Sequence, residues 1–214
     1  GDLLTVTDPA TPTPNVITNT YDIRGNKISS VDPDMGTWTY VYDVLGELTS
    51  QTDAKSQTTS LTYDLLGRPL SRTESGLFSS WTYGTSAGAH NIGKIIQAQT
   101  CTASGCASVV SDRSFTFDSL GRPDVTILHV GGNDYGYHYA YSSTNGQLSN
   151  LKYPSGYSVD YSYNSYGYLA TLADNTGAPI WRANSRDAEM HLTSQTQGNG
   201  VLTTQVFNSN TGLI

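Results

Sequence analysis

Along most of the chain, apolar and polar positions alternate with a period of two. Trp38, Tyr40 and Tyr42 are separated by Thr39 and Val41, and the triplet Tyr137, Tyr139, Tyr141 and the pair Phe115, Phe117 repeat that arrangement. Alternation of aromatics with small or polar residues is what a β-strand with two unlike faces requires. No stretch pairs a helical period with helix caps. The least clear region is 182–191, where Ala183-Asn184 fills the slot that Tyr-Asp pairs hold elsewhere at the end of an aromatic strand.

The alternating runs end in a repeated corner. Tyr21-Asp22-Ile23-Arg24-Gly25-Asn26, Tyr42-Asp43-Val44-Leu45-Gly46-Glu47 and Tyr63-Asp64-Leu65-Leu66-Gly67-Arg68 follow one another at intervals of 21 residues. A fixed period of this length marks a repeat architecture. Phe117-Asp118-Ser119-Leu120-Gly121-Arg122 keeps the full spacing, and Tyr163-Asn164-Ser165-Tyr166-Gly167 keeps the Tyr-to-Gly spacing. Tyr141 to Gly146 and Phe207 to Gly212 are one residue longer. Asp followed three residues later by Gly suits the first and last positions of a type I turn. The carboxylate accepts from backbone N–H groups just ahead, and Gly tolerates positive φ where the chain re-enters a strand. Each unit therefore predicts strand, Asp-x-x-Gly turn, return strand and a second turn. The second turns carry breakers such as Asp32-Pro33, Asp53-Ala54, Tyr153-Pro154-Ser155-Gly156 and the proline-rich run 8–15. Aromatic strands are expected to end at Tyr21, Tyr42, Tyr63, Tyr83, Phe117, Tyr141, Tyr163, about Ala183, and Phe207, each followed by a return strand, giving 18 strands. One unit departs from the period. The step from Tyr83 to Phe117 is 34 residues, with lengthened loops expected over 84–110. Insertions in surface loops are cheap, so this decoration need carry no function.

The Tyr-Asp-x-x-Gly-Arg pattern resembles the YD repeat of the Rhs/YD-repeat family. That family includes bacterial Rhs polymorphic toxins, the shell component of insecticidal toxin complexes, wall-associated toxins and the teneurins. The resemblance covers nearly all of the chain. It implies a strip of repeats that winds into a hollow shell, which in the bacterial members encloses a C-terminal toxin. It also implies a bacterial secreted or cell-surface setting. Rhs proteins often close their repeat region with a self-cleaving aspartyl protease segment marked by Asp-Pro-x-Gly-Leu. Here Asp8-Pro9 and Asp32-Pro33 lack the following Gly-Leu, so those residues do not carry over.

Composition narrows the function. Charged residues are only 14% of the 214, well under the usual quarter, so hydroxyls and amides must solvate the surface. The net charge of −7 offers no basic patch for phosphates, which disfavours nucleic-acid binding. No stretch is long and apolar enough for a membrane-spanning helix, and residues 1–4 do not start a signal peptide. The chain begins inside a unit and stops at Gly212-Leu213-Ile214, where a return strand is due. It therefore reads as one array over 1–214 cut from a longer one. Open sheet edges predict edge-to-edge self-association of the isolated fragment.

Catalytic chemistry finds little support. Asp22, Asp43, Asp64 and Asp118 occupy the same point of successive turns, so they are structural copies rather than a general acid–base pair. Ser is abundant, but no Gly-x-Ser-x-Gly elbow occurs. The four histidines, His90, His129, His138 and His191, show no metal-ligand spacing. Cys101 and Cys106 flank a plausible hairpin tip, which leaves open a disulfide, two thiols or a poorly spaced metal site. No catalytic residue, cofactor or metal is therefore assigned. The residues singled out are the turn set Tyr21, Asp22, Gly25, Tyr42, Asp43, Gly46, Tyr63, Asp64, Gly67, Phe117, Asp118, Gly121, Tyr163, Asn164 and Gly167, with Cys101 and Cys106 as a candidate staple. Arg68, Leu70 and Arg122 join the framework.

The expected fold is all-β, an antiparallel hairpin array. At about 4.8 Å per strand it would extend roughly 80 Å, too wide to stay flat, so it must coil or close. The expected function is structural, as wall material around a C-terminal toxin cargo. The partners are then the rest of the parent chain and that cargo. A second class of function is an extracellular adhesion or glycan-binding module, because Tyr and Trp can stack on sugars. Their regular phasing favours cross-strand packing instead, since a sugar site needs aromatics gathered in one place.

Overall fold

The computed structural model describes residues 1–9, 14–102, 105, 106 and 108–214. Part of the proline-rich turn and part of the Cys101–Cys106 tip lie outside the described residues. Among those described there are 18 strands and no helix. The chain is an all-β antiparallel hairpin array.

The chain divides into two compact units, Gly1–Thr85 with Asn91–Ser114, and Ser86–His90 with Phe115–Ile214. The first contains β1 (Thr5–Thr7), β2 (Val16–Tyr21), β3 (Lys27–Asp32), β4 (Gly36–Tyr42), β5 (Leu48–Thr52), β6 (Thr58–Tyr63), β7 (Pro69–Glu74), β8 (Leu77–Tyr83), β9 (Ile95–Cys101) and most of β10 (Val109–Phe117). The second takes up the end of β10 and continues with β11 (Pro123–Val130), β12 (Asn133–Tyr141), β13 (Leu148–Lys152), β14 (Ser158–Tyr163), β15 (Leu169–Asp174), β16 (Pro179–Arg186), β17 (Leu192–Gln197) and β18 (Leu202–Thr204). In the first unit each strand pairs antiparallel with the next. The same holds from β11 to β18 in the second.

Strand ends follow the corners. β2, β4, β6, β8, β12 and β14 stop at the tyrosines of the repeat, and β10 stops at Phe117. Two expectations need correction. β16 runs past Ala183 to Arg186, and its corner is Asp187-Ala188-Glu189-Met190 rather than Ala183-Asn184. At the far end β18 closes at Thr204, short of Phe207. Within 84–110 the structure places β9 and the start of β10.

Period two separates two faces. In the first unit Thr20, Ser29, Thr39, Thr52 and Thr58 form one row of directly paired hydroxyl residues across β2 to β6. Trp38, Tyr40 and Tyr42 project from the other face and are half-buried, while Thr37, Thr39 and Val41 between them are exposed. The hydroxyl face explains how a chain so poor in charge keeps a solvated surface. The core is thin: among the described residues only Cys101, Val159, Asn19, Ser79 and Gly84 are buried. The array therefore depends on its backbone ladders and on the bonds that fasten one hairpin to the next.

Candidate functional site

Those fasteners lie in the corners. At Asp22, Oδ1 accepts the N–H groups of Arg24 (2.8 Å) and Asn26 (2.9 Å). The Gly25 N–H donates to the Asp22 carbonyl (3.1 Å) and the Asp22 N–H to the Asn26 carbonyl (2.9 Å). Gly25 sits at φ 86°. This is a type I turn followed by a left-handed residue and a bulge, a common three-residue hairpin connection. The register shift between Thr20 and Tyr21 records that bulge. Asp43, Asp64 and Asp118 repeat the same Oδ1 bonds. Asn164 does so through its amide oxygen, accepting from Tyr166 (3.0 Å) and Tyr168 (2.9 Å).

The carboxyls that anchor these turns are held below the usual aspartate range. For Asp22 the cause is first the Asn26 amide and then the Asn26 N–H. For Asp64 the Arg68 side chain leads. At Asp118 partial desolvation works upward, and the Arg122 side chain and backbone N–H outweigh it. Each bond is made to the charged form, which is the form it favours.

Each corner is also tied to its neighbours. The tyrosine hydroxyl donates back to the first residue of the preceding return strand. Tyr42 reaches the Lys27 carbonyl (3.0 Å), Tyr63 that of Leu48 (2.9 Å), Tyr83 that of Pro69 (3.1 Å) and Tyr163 that of Leu148 (3.0 Å). Forward ties come from the residue after the glycine. Arg68 holds Asp64 through Nε (2.7 Å), lies 4.1 Å over the Tyr83 ring and donates to the Gly93 carbonyl (3.3 Å). Arg122 repeats all three, with Asp118 (2.8 Å), the Tyr141 ring (4.1 Å) and the Gly146 carbonyl (2.9 Å). Gln147 reaches the Gly167 carbonyl at 2.8 Å. A guanidinium suits this work because its planar fork can bond a carboxylate and a carbonyl while stacking on a ring.

The structure explains the irregular copies. Gly84 takes the Asp place, and the long turn still closes through Gly93 N–H to Gly84 O (2.9 Å) and Gly84 N–H to Lys94 O (2.8 Å). The insertion therefore leaves the closing bonds intact. At 187–191, Met190 adopts φ 69° in the glycine place, and Arg186 replaces the tyrosine by donating to the Leu169 carbonyl (3.1 Å). Asp53 makes the same turn at the opposite edge, with Ser56 at φ 60°. Cys101 and Cys106 are joined by a disulfide.

One feature lies apart from the corners. In the second unit Tyr135, Tyr153, Pro154, Tyr157, Val159 and Ile180 line an open hollow of about 770 Å³. Tyr153 meets Tyr137 edge-on at 5.9 Å. Among the described residues no group of three His, Cys, Asp or Glu is placed to hold a metal, and no helix is long and apolar enough to cross a membrane.

A thin antiparallel array whose hairpins are fastened corner to corner defines a structural repeat protein. The family model described as RHS Repeat matches residues 42–77, which span the corners at Asp43 and Asp64. No curated protein matched the sequence. Solved structures share the fold. The crystal structure of TcdB2-TccC3 without its hypervariable C-terminal region superposes with a TM-score of 0.65 at 14% identity, over 100% of this chain and 13% of that one. The Photorhabdus luminescens Tc holotoxin pore gives a TM-score of 0.65 at 15% identity, with the same coverage. TcdB2-TccC3 itself gives 0.64 at 14%, covering 99% of this chain and 14% of that one. This chain thus spans about an eighth of the length of the chains it matches.

Proposed function

We propose that this chain is a length of wall in a non-catalytic container that encloses a C-terminal toxin or effector, delivered outside the cell that makes it. The observation that carries the proposal is the chemistry of the corners. Tyrosine hydroxyls reach backward and arginine guanidiniums forward, so neighbouring hairpins within each unit are locked together, with no helix among the described residues. Wide antiparallel sheets curl as their twist accumulates, and a curling barrier surrounds a space. The likeness to TcdB2-TccC3 supports this reading at the level of fold. Single YD array and fragment of a longer repeat region remain the description of its organisation under this proposal, with Cys101–Cys106 as a local staple.

The test is protease protection in the full-length parent polypeptide. Its C-terminal segment should resist digestion while the array is intact and become sensitive when the two hairpins around Asp43 and Asp64 are removed. Equal digestion before and after removal would sink the container. A second reading, glycan adhesion, draws on one specific observation: Tyr135, Tyr153 and Tyr157 do gather at one place. Binding on a glycan array that is lost with Tyr153→Ala, with thermal unfolding unchanged, would favour it.

A further inference from the structure

In the fastened corners the side chain four residues after the aspartate gives a hydrogen to the second carboxylate oxygen. Asn26 Nδ2 donates to Asp22 Oδ2 (2.9 Å), Arg68 Nε to Asp64 Oδ2 (2.7 Å) and Arg122 Nε to Asp118 Oδ2 (2.8 Å). His191 Nδ1 lies 2.9 Å from Asp187 Oδ2. At the Asp43 corner the same place is filled by Glu47, and an ionised carboxylate has no hydrogen to give. Yet that corner closes like the others. Asp43 Oδ1 accepts from Leu45 N–H (2.8 Å) and Glu47 N–H (2.9 Å), and Gly46 N–H donates to the Asp43 carbonyl (3.2 Å). We propose that Glu47 and Asp43 share one proton, so that an acid–carboxylate hydrogen bond completes this corner and the corner loosens when the proton leaves.

Among the described residues the neighbouring donors are engaged elsewhere. On the forward side Glu47 Oε1 lies over Gly67, 2.8 Å from where a Cβ would stand, beside the Asp64 corner. Arg68 there is engaged with Asp64 and the Tyr83 ring. Tyr63 gives its hydroxyl hydrogen to the Leu48 carbonyl, and Tyr42 gives its own to Lys27. On the preceding side Arg24 donates to the Val44 carbonyl, Lys27 lies over the Tyr40 ring, and the Asn26 amide bonds Asp22. Partial desolvation, then the bond to Asp43 and the charges of Asp43 and Asp64, hold the Glu47 carboxyl above its usual range. Asp43 is held below its own, first by the Glu47 N–H.

The sign follows from linkage. A carboxyl raised in the folded state stabilises that state fully below its ordinary value, and the contribution is lost as pH rises through the raised value. Glu47 therefore tightens its corner on mild acidification, opposite in sense to the lowered aspartates. This device stands or falls independently of the container proposal.

The chain has three glutamates, Glu47, Glu74 and Glu189, so their side-chain carboxyl carbons can be followed individually by NMR across a pH titration. Glu47 is expected to titrate above the ordinary glutamate range. Asp43→Asn keeps the turn-forming oxygen, as Asn164 shows, and offers an amide hydrogen to ionised Glu47. It should lower the Glu47 midpoint by about one pH unit. Glu47→Gln supplies a permanent donor and should raise the melting temperature at pH 7.5 but not at pH 4. A Glu47 midpoint at or below the ordinary glutamate value overturns the proposal, as does an equal Glu47→Gln shift at both pH values. The wild-type titration decides alone if either variant fails to fold.

Discussion

The two edges of the hairpin array are built from related turns but do different work. On the Tyr-Asp edge of the first unit, Tyr63 bonds back to Leu48 and Arg68 bonds forward to Gly93. On the opposite edge the turns close on themselves. Asp53 accepts from Lys55 and Gln57, and Asp32 from Asp34 and Met35, all within one connection. A turn that bonds only itself can be exchanged for any other that reverses the chain. The second edge accordingly carries Asp-Ala-Lys-Ser, Gly-Gly and Tyr-Pro-Ser-Gly without harm to the ladders. A turn that also holds its neighbours must keep the donor, the acceptor and the spacing together. The 21-residue period is thus a property of the fastened edge.

Acid should break the comparison most severely, because it strikes many anchoring carboxylates at once. Asp22, Asp43, Asp64, Asp118 and Asp187 on the corner edge, and Asp174 on the other, are all held below the ordinary aspartate range. A lowered carboxyl stabilises the folded state above its unfolded value, and that contribution is lost as pH falls through the folded one. The melting temperature should vary gently above about pH 4 and drop steeply below it. A profile still level at pH 3 would show that these carboxylates do not hold the turns.

Glycine substitutions separate the edges next. Gly67 on the corner edge and Gly177 on the other both have positive φ, 75° and 85°. Alanine in that conformation costs about 1–2 kcal/mol at either site. At Gly177 its methyl would enter open space, whereas at Gly67 it would meet Glu47 Oε1. Gly67→Ala should therefore be the more damaging in urea denaturation, by a small margin because the Glu47 tip can swing aside. Equal losses would mean that successive corners do not touch.

Removing one backward tie is a gentler cut. Tyr63→Phe deletes the hydroxyl that serves the Leu48 carbonyl and keeps the ring. The loss should be about 1 kcal/mol, or a fall of about 2–4 °C in melting temperature. Tyr166→Phe, at an exposed corner position, is the control and should change nothing.

How far all this was legible in the sequence depends on which part of a corner is considered. Tyr, Asp and Gly recur because each meets a separate requirement, namely reach, a turn acceptor and positive φ. Their spacing therefore located the ends of β2, β4, β6 and β14 to the residue. The ties between corners were not legible. Arg68 and Arg122 stood out as repeats, but their reach to Gly93 and Gly146 depends on how neighbouring corners stack. The Asp187 corner was hidden because Met190 and Arg186 meet the glycine and tyrosine requirements by other means. A search for an Asp whose second and fourth followers could turn their N–H groups onto it would have found it, since Glu189 and His191 both do. The tyrosine hollow was missed because its residues come from β12, the turn after β13 and the strands beyond.

Met190 supplies the smallest and most exacting change. It is a bulky residue at φ 69°, where the other fastened corners place glycine or close with one. Met190→Gly removes a conformational cost of about 1–2 kcal/mol. The unfolded chain meanwhile gains freedom, which offsets about 0.4–1 kcal/mol of that relief. The Met190 carbonyl keeps its bond from the Arg186 guanidinium (2.9 Å), because Met190 contributes only backbone to it. The net expectation is a gain of about 0.5 kcal/mol in urea denaturation, with the slope unchanged. A loss instead would mean that the methionine side chain contributes packing that a glycine cannot replace. The irregular corner would then be adapted to its own surroundings rather than a worn copy of the repeat.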